Sequence, residues 1–209
     1  MIEGKLVRLR ALCAEDLEAH LRWRNDPEVV HWATGGHPNF GPISREALER
    51  FHEAQLRQDP RETATFTVEK RDGGRVIGMA DYRDLDTFAG RATAGITIGE
   101  RDHWNGGYGT EALSLLLDHL FGPCRLHRVD LDTWSGNDRA IRAFTRLGFT
   151  EEGRRRKAIR VGTEWHDEVT FGMLREEWVS TAPRRGAVAV SDMRLRRAGA
   201  TSHDGVAAD

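Results

Sequence analysis

Apolar and charged side chains alternate in Lys5-Leu6-Val7-Arg8-Leu9-Arg10, the period-two pattern of a strand with one buried face. From residue 14 the period lengthens and predicts a helix over 14–24, closed by Asn25-Asp26-Pro27. Residues 35–42, rich in Gly, His, Pro and Asn, read as loop. Ser44 is placed to cap a second helix over 44–58, with Ala47, Leu48, Phe51, Ala54 and Leu56 as its apolar residues. Residues 63–70 alternate again, Asp72-Gly73-Gly74 reads as a hairpin turn, and 75–85 returns antiparallel. A turn around Phe88-Ala89-Gly90 leads into a third strand over 92–98.

The next helix runs through Phe121 with Ala112, Leu113, Leu116, Leu117 and Leu120 on one face, and Gly122-Pro123 stops it. A strand over 127–133 follows, then a helix over 137–147 in which Ala140, Ile141, Phe144 and Leu147 share a face and Gly148 is the C-cap. Strands over 149–157 and 166–174 complete the pattern. The order β-α-α-β-β-β-α-β-α-β-β predicts an α/β (α+β) fold in which an antiparallel meander precedes one strand–helix–strand crossover. After Trp178 the periodicity ends in a run of Ser, Ala, Pro, Arg, Gly and Val. One domain over 1–178 with a flexible or disordered tail over 179–209 is expected.

Between strand 92–98 and the following helix lies Trp104-Asn105-Gly106-Gly107-Tyr108-Gly109-Thr110-Glu111-Ala112. A glycine-rich turn opening a helix presents free N–H groups and the positive end of the helix dipole, which suits an anion such as a phosphate. The same turn also reads as an ordinary cap. No Gly-x-x-x-x-Gly-Lys-Ser/Thr occurs, which excludes a P-loop nucleotidase. Gly107-Tyr108-Gly109-Thr110-Glu111-Ala112 fits a dinucleotide fingerprint, with Asp130 roughly 20 residues on. The element order argues against it: such a loop follows a first parallel strand, with several βα units after it.

A net charge of −2 gives no global basic field for nucleic acid. Arg154-Arg155-Arg156-Lys157 is a local run, read as a solvated strand or a contact to an anionic ligand. Cys13 and Cys124 lie far apart without metal-ligand spacing, so neither a disulfide framework nor a zinc site is expected. No apolar run approaches membrane-spanning length and residues 1–9 carry no secretory leader, so a cytoplasmic address is expected.

Taken in order, Ile96 to Gly99, the glycine loop, Leu126-His127-Arg128-Val129, Asn137-Asp138-Arg139-Ala140-Ile141-Arg142-Ala143-Phe144, Leu147-Gly148-Phe149 and Leu174-Arg175-Glu176-Glu177-Trp178 resemble the GNAT superfamily of acetyl-CoA-dependent N-acetyltransferases. The match is to its RimJ/RimL-type branch, which acetylates protein N-termini. The resemblance implies a mixed, mostly antiparallel twisted sheet with a splayed central strand pair and helices on both faces. It implies that acetyl-CoA is the co-substrate, with backbone N–H groups from Asn105 to Thr110 (through Gly106, Gly107, Tyr108 and Gly109) holding its pyrophosphate and Trp104 beside them. The backbone of Ile96 and Ile98 would bind the pantetheine arm, an N–H near Ile98 would stabilise the oxyanion, and Asn137 would contact the arm. As a simple N-cap, Asn137 has an equally good reading.

Acetyl transfer needs a neutral amine, a stabilised oxyanion and a departing thiolate that is protonated or tolerated. The family's usual tyrosine corresponds to Phe144, which has no proton to give, and a common glutamate corresponds to Thr93, which is no base. Ser135 is the alternative acid for the thiolate; Asp81 and Asp84, on the strand facing the expected cleft, are candidate bases, each with a surface carboxylate as its plain alternative. Trp23 is assigned to the core and Trp32 to a cleft wall. The acceptor is a primary amine, a protein N-terminus or a small amine, with an aminoglycoside, polyamine, amino sugar or a non-catalytic CoA-binding module as alternatives. No metal is expected. Strand edges near 165–174 would support a homodimer.

Overall fold

Eight strands form one sheet in the order β1-β2-β3-β4-β5-β6-β8-β7. They are β1 (Ile2–Glu3), β2 (Val7–Ala11), β3 (Ala64–Lys70), β4 (Val76–Asp86), β5 (Arg91–Ile98), β6 (Arg128–Trp134), β7 (Thr150–Val161) and β8 (Glu164–Leu174). The helices are α1 (Leu17–Arg24), α2 (Pro27–Thr34), α3 (Arg45–Leu56), α4 (Tyr108–Phe121), α5 (Asp138–Leu147) and α6 (Arg175–Thr181). This computed structural model describes residues 1–181 of the 209-residue chain. α6 runs past the expected domain boundary at 178, and the remainder of the expected tail lies outside the described residues.

Every strand pairing is antiparallel except β5 with β6. That parallel pair meets only at Arg91–Arg128, Ala92–Val129 and Thr93–Asp130 and then parts, although β5 continues to Ile98 and β6 to Trp134. The splayed pair implied by the resemblance is therefore present.

Period-two alternation divides the sheet into two working faces. Phe66, Val68, Ala80, Tyr82, Ala92 and Ala94 point to one side and join the core with α4. α4 buries Ala112, Leu113, Leu115, Leu116, Leu117, Leu120 and Phe121, and each large side chain contributes about 1.5–3 kcal/mol on leaving water. Trp178 closes that core from α6, its indole N–H donating to Asp118 Oδ1 at 2.9 Å.

The opposite face lies under α1, α2 and α3. There Trp23 is buried, as expected, with its ring stacked where any side chain on Gly99 would collide with it. A buried ion network anchors the chain entering α1: Arg10 binds Asp16 and Glu69, each at 2.6 Å, and the Thr67 hydroxyl donates to Asp16 at 2.6 Å. Burial alone would raise Asp16, but hydrogen bonds from Arg10 and Thr67 outweigh it and hold the carboxyl down to about 2.

Two helices, α2 and α6, went unforeseen. Asn25-Asp26-Pro27 reads as a stop, yet Asp26 is the N-cap of α2, its carboxylate accepting the Glu28 and Val29 N–H groups with Pro27 at the first helical position. The strand edge expected near 165–174 needs correcting too. β8 pairs with β7 along its length and, from Glu168 to Leu174, with β6 on its other side, so most of 165–174 offers no open edge; the edges of the sheet are β1 and β7. β7 carries Arg154 and Arg155, paired with Glu151 and Glu168, as a solvated strand.

Candidate active site

The first hydrogen bond of α4 runs from Glu111 N–H to Gly107 O at 2.9 Å, and no side chain among the described residues caps the helix. The N–H groups of Tyr108, Gly109 and Thr110 therefore have no intrahelical partner, and the helix dipole adds to them. Gly107 sits at φ +83°, open to glycine at no cost, and Asn105 at φ +62°. A Cβ on Gly106 would stand 2.8 Å from the Tyr108 ring, so the loop closes tightly only without one.

These groups border a cavity of about 290 Å³ between α4, the end of β5 and α5. Ile96, Ile98, Trp104, Asn105, Gly107, Tyr108, Gly109, Thr110, Asn137 and Phe144 all line it; Gly106, of the residues expected there, does not. Gly99 N–H donates to Ile77 O, which fixes the antiparallel alternation along β4 and β5. Amides of Gly95 and Thr97 thus face β4, while those of Ile96 and Ile98 face the opening left by β6. The Ile98 carbonyl already has a partner there, the Trp104 indole N–H at 2.7 Å.

Three cations also line this cavity: Arg139, Arg142 and Arg146, at i, i+3 and i+7 on α5. The Arg139 guanidinium lies 4.0 Å from the Trp104 ring centroid and 5.3 Å from that of Trp32. Burial pulls its pKa down, against Glu28, so its charge is poorly compensated. Their helical spacing was available in the sequence as a basic stripe. Glycine N–H groups, a helix N-terminus, three arginines and unpaired strand amides suit a diphosphate joined to an amide-bearing arm, so the residues present fit coenzyme A.

A second cavity, about 630 Å³, lies between the β3–β6 face and α1–α3. Val29, Ala33, Thr97 and Phe144 line both cavities, so the two meet there. Thr97 is the only one of these four with a polar side chain. Asp81 rests on the floor of the second cavity, lying across Gly95, its partner in the β4–β5 register. Burial pushes the Asp81 carboxyl up; Arg83, 3.7 Å away, opposes this and Asp132 adds to it.

Two candidate catalytic residues stand elsewhere. Asp84 has φ +55° in the irregular end of β4 and is exposed, outside both cavities. Three residues from Asp81 cannot share its face in a regular strand, and the β4 irregularity turns Asp84 outward instead. Ser135 Oγ accepts the Asp167 N–H at 3.2 Å and joins β6 to β8, outside both cavities. Asn137 lines the first cavity, but its side chain is committed inward: Oδ1 accepts Ala140 N–H, and Nδ2 donates to Trp32 O and Thr133 Oγ1. The N-cap reading of Asn137 holds. Phe144 is buried against Phe149 and Phe171. Trp32 walls the first cavity and stacks on Trp134, 5.8 Å between centroids. Tyr82 is core, its hydroxyl donating to Pro60 O.

A turn suited to an anion and a second chamber that share Val29, Ala33, Thr97 and Phe144 suit a two-substrate transferase, one substrate carried on an anionic group. The chain belongs to the acetyltransferase (GNAT) domain family, whose model matches residues 7–150. It is 30% identical over 176 residues to the SPbeta prophage-derived uncharacterized N-acetyltransferase YokL of Bacillus subtilis (strain 168), covering 84% of this chain and 93% of YokL. It is 25% identical over 175 residues to the uncharacterized N-acetyltransferase p20 of Bacillus licheniformis, covering 81% and 93%. The fold matches the crystal structure of spermidine N-acetyltransferase from Vibrio cholerae in complex with CoA and spermine, with a TM-score of 0.73 and 20% identity over 84% of this chain and 99% of that one. The protein is an acetyl-CoA-dependent N-acetyltransferase with a mixed, mostly antiparallel sheet.

Proposed function

We propose that the 290 Å³ cavity holds the coenzyme A moiety and that a primary amine enters the 630 Å³ cavity, the two meeting at Thr97. The observation that carries this reading is the shared lining, which brings a free helix N-terminus and a half-buried carboxyl to either side of one junction. Acetyl-CoA supplies an acyl group activated as a thioester.

The N–H groups of Tyr108, Gly109 and Thr110 hold the pyrophosphate, with Gly107 shaping the turn and Arg139, Arg142 and Arg146 answering the negative charge. The Ile96 backbone and the Ile98 N–H bind the arm, and the Ile98 N–H is the donor closest in the chain to the developing oxyanion. Trp104 keeps the Ile98 carbonyl occupied and so fixes the end of β5.

Asp81 takes the proton of the amine, directly or through one water. Its raised pKa makes it a stronger base than an ordinary aspartate, and its rate contribution appears as pH rises through that raised value. The amine nitrogen bonds to the acetyl carbon, the carbon–sulfur bond breaks, and the proton from nitrogen goes to Asp81. Thr97 supplies the hydroxyl nearest the junction, the position that neither Phe144 nor Ser135 can serve.

A chamber of this volume falls in the range of small-ligand sites, which favours a small amine. The RimJ/RimL-type motif set supports a second reading, in which the first residue of a protein N-terminus occupies the same chamber. Thiol release from acetyl-CoA, followed with small amines and with short peptides, tests the proposal. Steady turnover is expected; acetyl-CoA binding with no turnover on any amine would mark a non-catalytic module.

A further inference from the structure

Charge within the larger cavity is distributed unevenly. Its charged lining consists of Asp81, Asp132, Arg83 and Arg24. Arg83 binds Asp132 at 2.8 Å and lies 3.7 Å from Asp81, so the two acids share a cation. Arg24 has no carboxylate within ion-pair distance among the described residues. Its Nη2 donates to Asn39 O at 3.1 Å, its Nε is buried without a partner, and its guanidinium lies 5.2 Å and 5.8 Å from the Phe40 and Phe51 ring centroids. Burial lowers its pKa, as expected of a cation short of compensation.

Unpartnered polar atoms cluster on the same walls. Of seven buried side-chain polar atoms without a hydrogen bond among the described residues, four belong to residues lining this cavity: Arg24 Nε, His20 Nε2, Gln55 Oε1 and Gln58 Oε1. Buried polar groups ordinarily find partners, so this concentration of orphans sets the walls of the chamber apart from the rest of the fold. Arg24 belongs to the helical wall and Asp81 to the sheet wall, with Leu48, Met79 and Leu131 among the apolar residues between.

We infer that the acceptor amine also carries an oxyanion group, carboxylate or phosphoryl, and that Arg24 binds it while the amine faces Asp81. The inference rests on the assignment of this cavity to the acceptor and names the acceptor's class. A planar guanidinium flanked by aromatic rings matches an oxyanion with two parallel N–H donors. A polycation finds less here: two acids that already share Arg83, and a positive charge without an ion-pair partner on the opposite wall.

The test uses matched pairs: leucine against leucinamide, 4-aminobutyrate against its amide, 3-aminopropylphosphonate against 3-aminopropanol, and spermidine alone. Binding to the protein saturated with coenzyme A is measured by calorimetry, and thiol release from acetyl-CoA in parallel. The expected result is that an anionic amine binds about 10- to 100-fold tighter than its neutral twin, that Arg24→Gln abolishes this difference, and that Arg24→Lys keeps part of it. Acetyl-CoA affinity and the neutral twin's binding stay unchanged in both variants, which reports an intact fold. Carboxylate and phosphonate arms separate the two sources of oxyanion. Equal binding of the twins, stronger binding of spermidine, or equal loss for both twins in Arg24→Gln overturns the inference. An anion preference in binding without turnover supports Arg24 and overturns the catalytic reading. Turnover without anion preference does the reverse.

Discussion

Replacing Gly95 with alanine probes the site through its tightest contact. A Cβ at residue 95 would stand 2.6 Å from Asp81 Oδ1, 2.9 Å from Oδ2 and 3.0 Å from Cγ. Both carboxyl oxygens fall inside the closest approach that real Cβ atoms show and Cγ lies at its limit, so the Asp81 side chain must leave its present rotamer. Overpacking of this kind costs about 1–3 kcal/mol, and the stiffer unfolded chain offsets about 0.4–1 kcal/mol. The protein therefore remains folded, with a Tm lowered by a few degrees, while the carboxyl no longer lies across β5. A positioned general base contributes about 10²- to 10⁴-fold, so Gly95→Ala and Asp81→Asn should each lower kcat by about 100-fold or more. Their double variant should be no worse than Asp81→Asn alone, since both remove one function. Initial rates of thiol release across pH provide the assay. Because burial raises the Asp81 carboxyl, wild-type kcat should climb with pH through a value above the usual aspartate range, and Asp81→Asn should lose that limb. A folded Gly95→Ala within about threefold of wild-type kcat, or an Asp81→Asn variant that keeps the limb, would refute the assignment of the base.

The Glu111 carboxylate accepts the N–H groups of Lys5, Leu6 and Val7 at 2.8, 2.7 and 2.8 Å, tying the start of β2 to α4. Glu111→Ala should destabilise by about 2–4 kcal/mol in urea titrations, since two of the three stranded donors reach water; an unchanged midpoint would contradict this. Burial, with neighbouring His52 next, holds His20 down to about 4. Its folded pKa lies below the unfolded one, so stability is complete above about pH 6.5 and is lost as pH falls towards 4, by on the order of 3 kcal/mol in all. His20→Phe should flatten that slope, measured as urea midpoints at pH 7 and pH 5; a slope unchanged in the variant would assign it elsewhere.

Local periodicity made the strands, α4, α5 and the glycine turn legible, because each is decided by neighbours a few residues apart. Asp26-Pro27 carried an N-cap and first-turn pair that also serves as a break, and α2 was lost to that ambiguity. Asp84 was misplaced because it was set on the face of Asp81, although strand alternation already puts residues three apart on opposite faces, and the irregularity there is announced by no residue type. Ser135 was promoted by its nearness to Asn137, while its hydroxyl is drawn to β8 by a pairing 32 residues distant. Thr97 could have been found, since it alternates with Gly95 and Thr93 on the face opposite Ile96 and Ile98. Glu111 and Arg24 could not, because the partners that define them come from distant segments or from other helices and loops.

Coenzyme A recognition depends most on the turn before α4. Titration of the protein with acetyl-CoA in a calorimeter, beside a Gly107→Val variant whose cooperative thermal transition shows it folded, addresses it directly. Gly107 holds φ +83°, a conformation that a β-branched residue reaches only under strain, and nothing crowds it beyond Leu6 at 3.7 Å. Wild-type protein should bind with a dissociation constant on the order of 10 μM, and the variant should lose about 10-fold or more. No heat from the wild type at high micromolar acetyl-CoA, or equal affinity in the folded variant, would contradict the placement of the diphosphate.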